Sequence, residues 1–273
     1  MDDSETYLLL LLADSNLPTG SFVASSGFES YVKHGFISSG SATDGTINFV
    51  HDSLGTYARS ALPFVSDVHR VVATYSAQEE PLIDAALADI VALDELYEAM
   101  TLNHVTKRAS KSQGVALLTL YSKGFSRPTK GPQPPHEARL ATLVDRLKLM
   151  IRREETHGHL PICWGVLTGA LGLSLERSQF LHLFLHARSL LSAGVRLNTL
   201  GPYNAQQILL HAVRPLVEAE TVRCKDLRTL LTTESAHDSS WSDEDVAGPA
   251  TTWPLGEILA TRHDLQHSRI FNS

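Results

Sequence analysis

Cysteine is nearly absent: Cys163 and Cys224 are the two the chain contains, they stand far apart, and they form no CxxC pair. A disulfide scaffold is thereby excluded, and a chain with no secretory signal and so few thiols fits a reducing, cytoplasmic compartment. Basic runs are missing too. Apart from the pairs Lys107-Arg108 and Arg152-Arg153 the cationic residues are scattered, and the formal net charge is -7, so there is no basic face to bind nucleic acid. Nor is there an apolar run long enough for a bilayer, which takes roughly 20 residues. The one candidate, Leu8 to Ala13, is preceded by Asp2, Asp3 and Glu5 without Lys or Arg and followed by Asp14, Asn16 and Pro18 in place of a small-residue cleavage site. It is neither a membrane span nor a signal peptide, and reads as a buried helix beginning near Thr6 and stopped before Pro18.

What remains is ordinary globular material. With 273 residues, 43% hydrophobic and 19% charged, the chain can bury a sizeable core. Its apolar residues recur at helical spacing: Val65, Val68, Val72 and Tyr75; then Leu82, Ala86, Ile90, Leu93 and Tyr97; later Leu143, Leu147 and Ile151. Strict alternation over a strand's length is hard to find. Gly35 to Gly45, Glu79-Glu80-Pro81 and the proline-rich Ser126 to Pro135 punctuate these stretches as turns. The pattern predicts an all-α, single-domain helical bundle over residues 1–273, built of about nine to eleven helices. One segment differs. Thr232 to Thr252 is dense in Ser, Thr, Asp and Glu and reads as a flexible acidic insert, after which Leu255, Ile258 and Leu265 restore apolar periodicity.

Catalytic patterns fail one by one. The nearest approach to a phosphate-binding loop, Gly40 to Thr46, has Thr46 and Ile47 where the motif requires Lys and then Ser or Thr. No serine stands between spaced glycines as a hydrolase elbow requires. Thirteen histidines invite a metal reading. His157 and His159 flank Gly158, and His182 with His186 and His263 with His267 are each four apart, on one helix face. A metal-dependent hydrolase built on such pairs is one alternative, but no pair has an identifiable third ligand or general base. Structural or surface histidines are the simpler reading. Asp14, Glu29, Asp94, Glu95 and Glu98 fall on or near helices, where caps and solvated faces account for them. These residues describe a protein that is not an enzyme and binds no cofactor stably.

Two stretches are more particular than generic helix. The first, LLLLLADSNLPTGSFVASSGFE from Leu8 to Glu29, reads as a helix-turn-helix corner. Asp14 or Ser15 can satisfy free helix-end groups, Pro18 blocks continuation, Gly20 permits positive φ, and Ser21 can cap a helix re-entered with Phe22. The string resembles the N-terminal signature of the urease accessory protein UreF family, with Asp14, Ser15, Pro18, Thr19, Gly20, Phe22, Ser26, Gly27 and Glu29 in the matching positions. The second, SAGVRLNTLGPYNAQQILL, resembles a later family segment through Arg196, Leu200, Gly201 and Gln206. The C-terminus adds Pro254, His263, Arg269, Phe271 and Ser273, while the stretch around Arg108, Ser110 and Gly114 and the turn from His159 through Pro161 to Gly165 also fit. Phe28 stands where Leu is usual, Pro202 and Tyr203 where a polar pair is commoner, and the acidic insert is longer than in compact bacterial members.

The resemblance implies an all-α, generally dimeric accessory protein. Such proteins bind UreD (also called UreH) and, through that complex, the GTPase UreG, and the assembly delivers nickel to apo-urease as its active-site lysine is carbamylated. GTP would then belong to UreG and nickel to the complex. By the same resemblance His263, Arg269, Ile270 and Phe271 would dock on UreD, with Phe271 as an apolar anchor; the alternative is that this tail packs on its own bundle. Arg188, Arg196, Tyr203 and Gln206 would serve the dimer or the UreG-facing surface. Arg196, between Val195 and Leu197, could equally be a buried arginine that satisfies helix-end carbonyls. A generic helical adaptor unrelated to urease is the remaining alternative.

Overall fold

The computed structural model describes residues 3–19, 21–37, 42–79, 81–126, 134–231 and 248–273. Gly20 and most of the expected acidic insert, residues 232–247, lie outside the described residues. No strand occurs among those described, and the helices are α1 (Asp3–Leu12), α2 (Phe28–Lys33), α3 (Ala42–Ala77), α4 (Ile83–Met100), α5 (His104–Leu120), α6 (Pro135–Arg152), α7 (Leu160–Ala170), α8 (Leu175–Arg196), α9 (Pro202–Gln207), α10 (Arg214–Cys224) and α11 (Pro254–Thr261). A π-helical stretch, Ile208–Val213, joins α9 to α10 without a break, and another, Tyr121–Phe125, extends α5. The all-α architecture and the number of helices agree with the reading of the sequence.

The organising element is α3. Its first half, with Phe49, Val50, Leu54, Ala58 and Leu62, packs in one apolar cluster with Phe28, α8, α9, α10 and Phe271. Its second half, with Phe64, Val65, Val68, Val72 and Tyr75, packs in another with α4, α5, α6 and α7. Burial of large side chains such as Phe28, Phe49 and Phe64, all essentially inaccessible, removes roughly 1.5–3 kcal/mol of exposure cost each. Close approach of α7 to α3 depends on two glycines one turn apart. A Cβ on Gly165 would lie 2.9 Å from Val68 Cβ, and one on Gly169 would lie 3.0 Å from Val72 Cβ. Gly114 of α5 is tighter still, since a Cβ there would stand 2.1 Å from the Gly158 carbonyl oxygen.

Three local expectations change. The first helix is not a buried one beginning near Thr6: α1 starts at Asp3, and of its apolar residues Tyr7, Leu10 and Leu11 are exposed and Leu12 alone is buried, because it packs on one side only, with Leu8 and Leu9 partly covered. The glycines expected in a turn before Gly45 do not delay the helix that far: α3 begins at Ala42, so Gly45 lies inside its first turns. Near the N-terminus the helix does not resume at Phe22. Ser21–Val23 forms only a 3-10 turn, and α2 waits until Phe28 because Ser26 and Gly27 adopt φ of 51° and 86°. A left-handed pair stops helix propagation there, and glycine takes the second position at no Cβ cost.

Candidate functional site

The three strings singled out in the sequence meet at one place. Glu29, on α2 and wholly buried, accepts hydrogen bonds from the backbone N–H of Ile270 at 2.8 Å and of Phe271 at 3.2 Å. Lys33 Nζ stands 3.1 Å from the same carboxylate and His263 Nδ1 3.9 Å. Beyond Phe271 the tail runs alongside the N-terminal corner: Asn272 N–H donates to the Val23 carbonyl at 2.8 Å, and Ser25 N–H donates to the Ser273 carbonyl at 2.5 Å. Gly27 belongs to this contact as well, because a Cβ there would come 3.3 Å from the Ala260 nitrogen of α11.

Arg196 closes the arrangement from α8. Its guanidinium carbon lies 3.8 Å from the Phe22 ring centroid and 4.2 Å from that of Phe271, and it donates to the Phe22 carbonyl. A guanidinium over aromatic faces is held by their quadrupoles while its N–H groups remain free to donate in the guanidinium's own plane. Arg196 thus satisfies a carbonyl, as a structural arginine would, and it is half-buried beside the cavity. Two turns earlier Arg188 donates to the Ala13 carbonyl at the end of α1, and burial holds its pKa below the usual arginine value.

The tail divides by exposure. Phe271 is 3% exposed, so in this conformation it anchors its own chain and presents no apolar knob outward. Its main-chain partners are internal for a plain reason: the buried Glu29 carboxylate needs donors, and the tail amides supply them. Ile270, 54% exposed, and Arg269 face outward instead. Arg269 pairs with Asp264 at 2.8 Å, and Arg108 grips the same carboxylate through two bonds of 2.9 Å and donates to the Asn272 carbonyl at 3.0 Å. The Arg108 bonds hold the Asp264 carboxyl well below the usual range. Pro18 is exposed at the corner, and Asp14 there accepts from the Asn16 backbone at 2.9 Å, bracing the turn and not a helix start. Tyr203 and Gln206 are exposed on α9, and Gln206, Arg188 and Arg196 share a cavity of about 1190 Å³ that also takes in Asp14, Phe22, Gly27 and Phe271.

The histidines separate into different environments. His263 is buried, with Nε2 3.2 Å from the Phe271 carbonyl, whereas His267 is exposed, so this pair does not act as one. His159 is buried, its Nδ1 3.2 Å from Ser110 Oγ and its Nε2 2.7 Å from Glu98; burial lowers its pKa. His157 is half-buried beside Glu95 at 3.3 Å. His182 and His186 face Tyr57 Oη and Ser53 Oγ across the α3–α8 contact. Among the described residues, no three His, Cys, Asp or Glu side chains come together to hold a metal ion.

Reading the sequence alone missed the carboxylates that matter most. Asp94, assigned to a cap or solvated face, is 1% exposed and accepts from the backbone N–H groups of His157, Gly158 and His159 at 2.8, 2.6 and 3.0 Å, and from Thr156 Oγ1 at 2.6 Å. Asp67, unremarked in the sequence, is buried against Arg228 and Thr229. For Asp94 a signal was present: it falls on the apolar side of α4, next to Leu93 and Tyr97. For Asp67, its place between Ser66 and Val68 in a run of buried residues was the only mark.

Comparison with known proteins decides the family. The UreF family model matches residues 41–213. The chain belongs to the UreF family. Similar proteins include "Urease accessory protein 6" of Cryptococcus neoformans, 41% identical over 309 aligned residues that cover 98% of this chain and 97% of the relative. The "Uncharacterized urease accessory protein UreF-like" of Schizosaccharomyces pombe is 30% identical with both chains fully covered. "Urease accessory protein F" of Arabidopsis thaliana is 30% identical over 96% of this chain and 90% of its own. Among the described residues no helix is long and apolar enough to cross a membrane.

Proposed function

We propose that this UreF-family chain is a urease accessory scaffold. It acts in the cytoplasm as a homodimer within a larger complex, links UreD (UreH), the GTPase UreG and apo-urease, and so promotes nickel insertion. Its own contribution is binding geometry: nickel is the cargo of the complex, and GTP belongs to UreG. The observation that carries this reading is the convergence at Arg196 and Glu29 of three segments far apart in sequence, all of which resemble UreF. A scaffold needs a preorganised surface, and here the corner at Phe22, the end of α8 and the last four residues hold one another in place. The outward groups of that surface, Ile270, Arg269 and the exposed Phe22, combine apolar area with a guanidinium, the side-chain types that tend to dominate interfaces. Phe271 then contributes indirectly, by fixing the tail from inside.

Complementation is the test. Expression in a cell lacking its own UreF should restore urease activity, and the tagged chain should retain UreD and UreG from that cell. Restored activity without retention of either protein would refute the scaffold reading. A chain that folds but restores nothing would refute the accessory role.

A further inference from the structure

The wall between the two core clusters carries a polar ladder that the proposed function does not use. On α3, Ser53 and Tyr57 stand one turn apart; on α8, so do His186 and His182. Ser53 Oγ is 3.0 Å from His186 Nε2 and Tyr57 Oη is 2.9 Å from His182 Nε2, so the helices run antiparallel here and pair rung to rung. The Tyr57 ring stacks on both imidazoles, at 4.0 Å from His186 and 5.2 Å from His182, and Trp164 of α7 lies 5.5 Å from His182. All five side chains except the deeper parts of the rungs border the cavity of about 1190 Å³, which gives water a route to them.

We infer that this ladder is a proton-responsive joint: protonation of His182 and His186 drives α8 away from α3 and loosens the arginines that α8 carries to the cavity. The charges facing the imidazoles explain why. From α3 come the neutral Ser53 hydroxyl and Tyr57 phenol, from α7 the Trp164 indole, from α4 the phenol of Tyr97 behind Tyr57, and from α8 itself each imidazole faces the other. The carboxylates on the cavity wall among the described residues are Asp14 and Glu257, and neither is bonded to an imidazole. A charge placed on either ring therefore has no bonded counter-ion among the described residues, and a second charge arrives one turn along the same helix. Burial accordingly lowers the two pKa values to about 3 for His182 and about 4 for His186.

The sign follows from linkage. Both folded-state values lie below the ordinary histidine value, so an opened α8 binds more protons than the packed one. Closure is then fully favoured at neutral pH and weakens progressively as pH falls below about 6.5. Downstream on α8, Arg188 and Arg196 would lose register with Ala13, Phe22 and Phe271. The joint would respond to protons whether or not the chain serves urease.

Hydrogen exchange on the full chain tests it. After correction for intrinsic rates, amides of residues 182–196 should exchange at least about tenfold faster at pH 5 than at pH 7.5, with those of α6 changing much less. In H182Q/H186Q the same amides should show less than a twofold pH response. If that double variant does not fold, H186Q alone, altered at the half-buried rung, should show a reduced response. A wild-type chain with no selective change in α8, or a folded variant that responds as strongly as the wild type, would overturn the joint.

Discussion

Asp94 and Glu29 perform the same task in two regions of the molecule. Each is a buried carboxylate on a helix, and each accepts backbone N–H groups from a distant segment. Asp94 serves the turn before α7, which is covalently bounded on both sides and wedged under Gly114 so closely that no Cβ would fit. Glu29 serves residues 270 and 271, in a segment held besides by Arg196, Arg108 and Val23. The hydrogen-bond chemistry is alike; the exposure beside it is not, since Thr156, Gly158 and His159 are buried whereas Arg269, Ile270 and Asn272 are exposed. Asp94 accordingly belongs to the fold's framework. Glu29 holds a segment whose neighbouring side chains, Arg269 and Ile270, face outward.

The largest effect is expected at Asp94. Asp94→Ala strands several buried donors at once, and should cost about 3–5 kcal/mol of global stability in urea unfolding. A loss under 1 kcal/mol would show that the turn before α7 finds other acceptors. Glu29→Ala should cost less globally, about 1–3 kcal/mol, while the amides of Ile270 and Phe271 lose their exchange protection almost entirely. If the tail stays protected in that variant, the clamp is Arg196 and not Glu29.

Acid sharpens the contrast from another side. Glu98 is opposed by desolvation, but hydrogen bonds from Lys111, Lys107 and His159 bring it down to about 2. A depressed carboxylate stabilises above its ordinary value near 4.5 and loses that contribution as pH falls toward 2. Glu98→Gln should therefore flatten the fall in stability over that window, as read by thermal unfolding at a series of pH values, and leave tail protection at neutral pH unchanged. Arg196→Ala is expected to have the smallest thermodynamic effect, about 1–2 kcal/mol from the lost aromatic contacts and the bond to Phe22. Its exchange signature should be confined to residues 21–25 and 270–273.

How much of this was legible in the sequence follows the same division. The periodic run of Val65, Val68, Val72 and Tyr75 marks a helix face because apolar spacing is a local property, and those residues are buried together in α3. The corner from Asp14 to Glu29 was legible as a special string, yet its geometry was not: the delay of α2 to Phe28 depends on left-handed Ser26 and Gly27, and the former is a residue that rarely adopts such a φ. That Glu29 would accept the amides of residues 270 and 271 could not be read from spacing, because the partners are separated by almost the whole chain. The inward turn of Phe271 and the outward turn of Ile270 share that origin. Asp94 shows the converse. Its position on an apolar helix face signalled burial, but its donors come from a turn whose placement depends on Gly114 and α7.

We propose that the tail, set in place by Glu29 and Arg196, forms part of the surface that captures UreD. The most direct measurement is the affinity of UreD for the full chain and for a chain ending at His267, with far-UV circular dichroism to show that both are folded. Loss of at least about tenfold in affinity, about 1.4 kcal/mol, is the predicted result. Unchanged affinity in a folded truncated chain would contradict it.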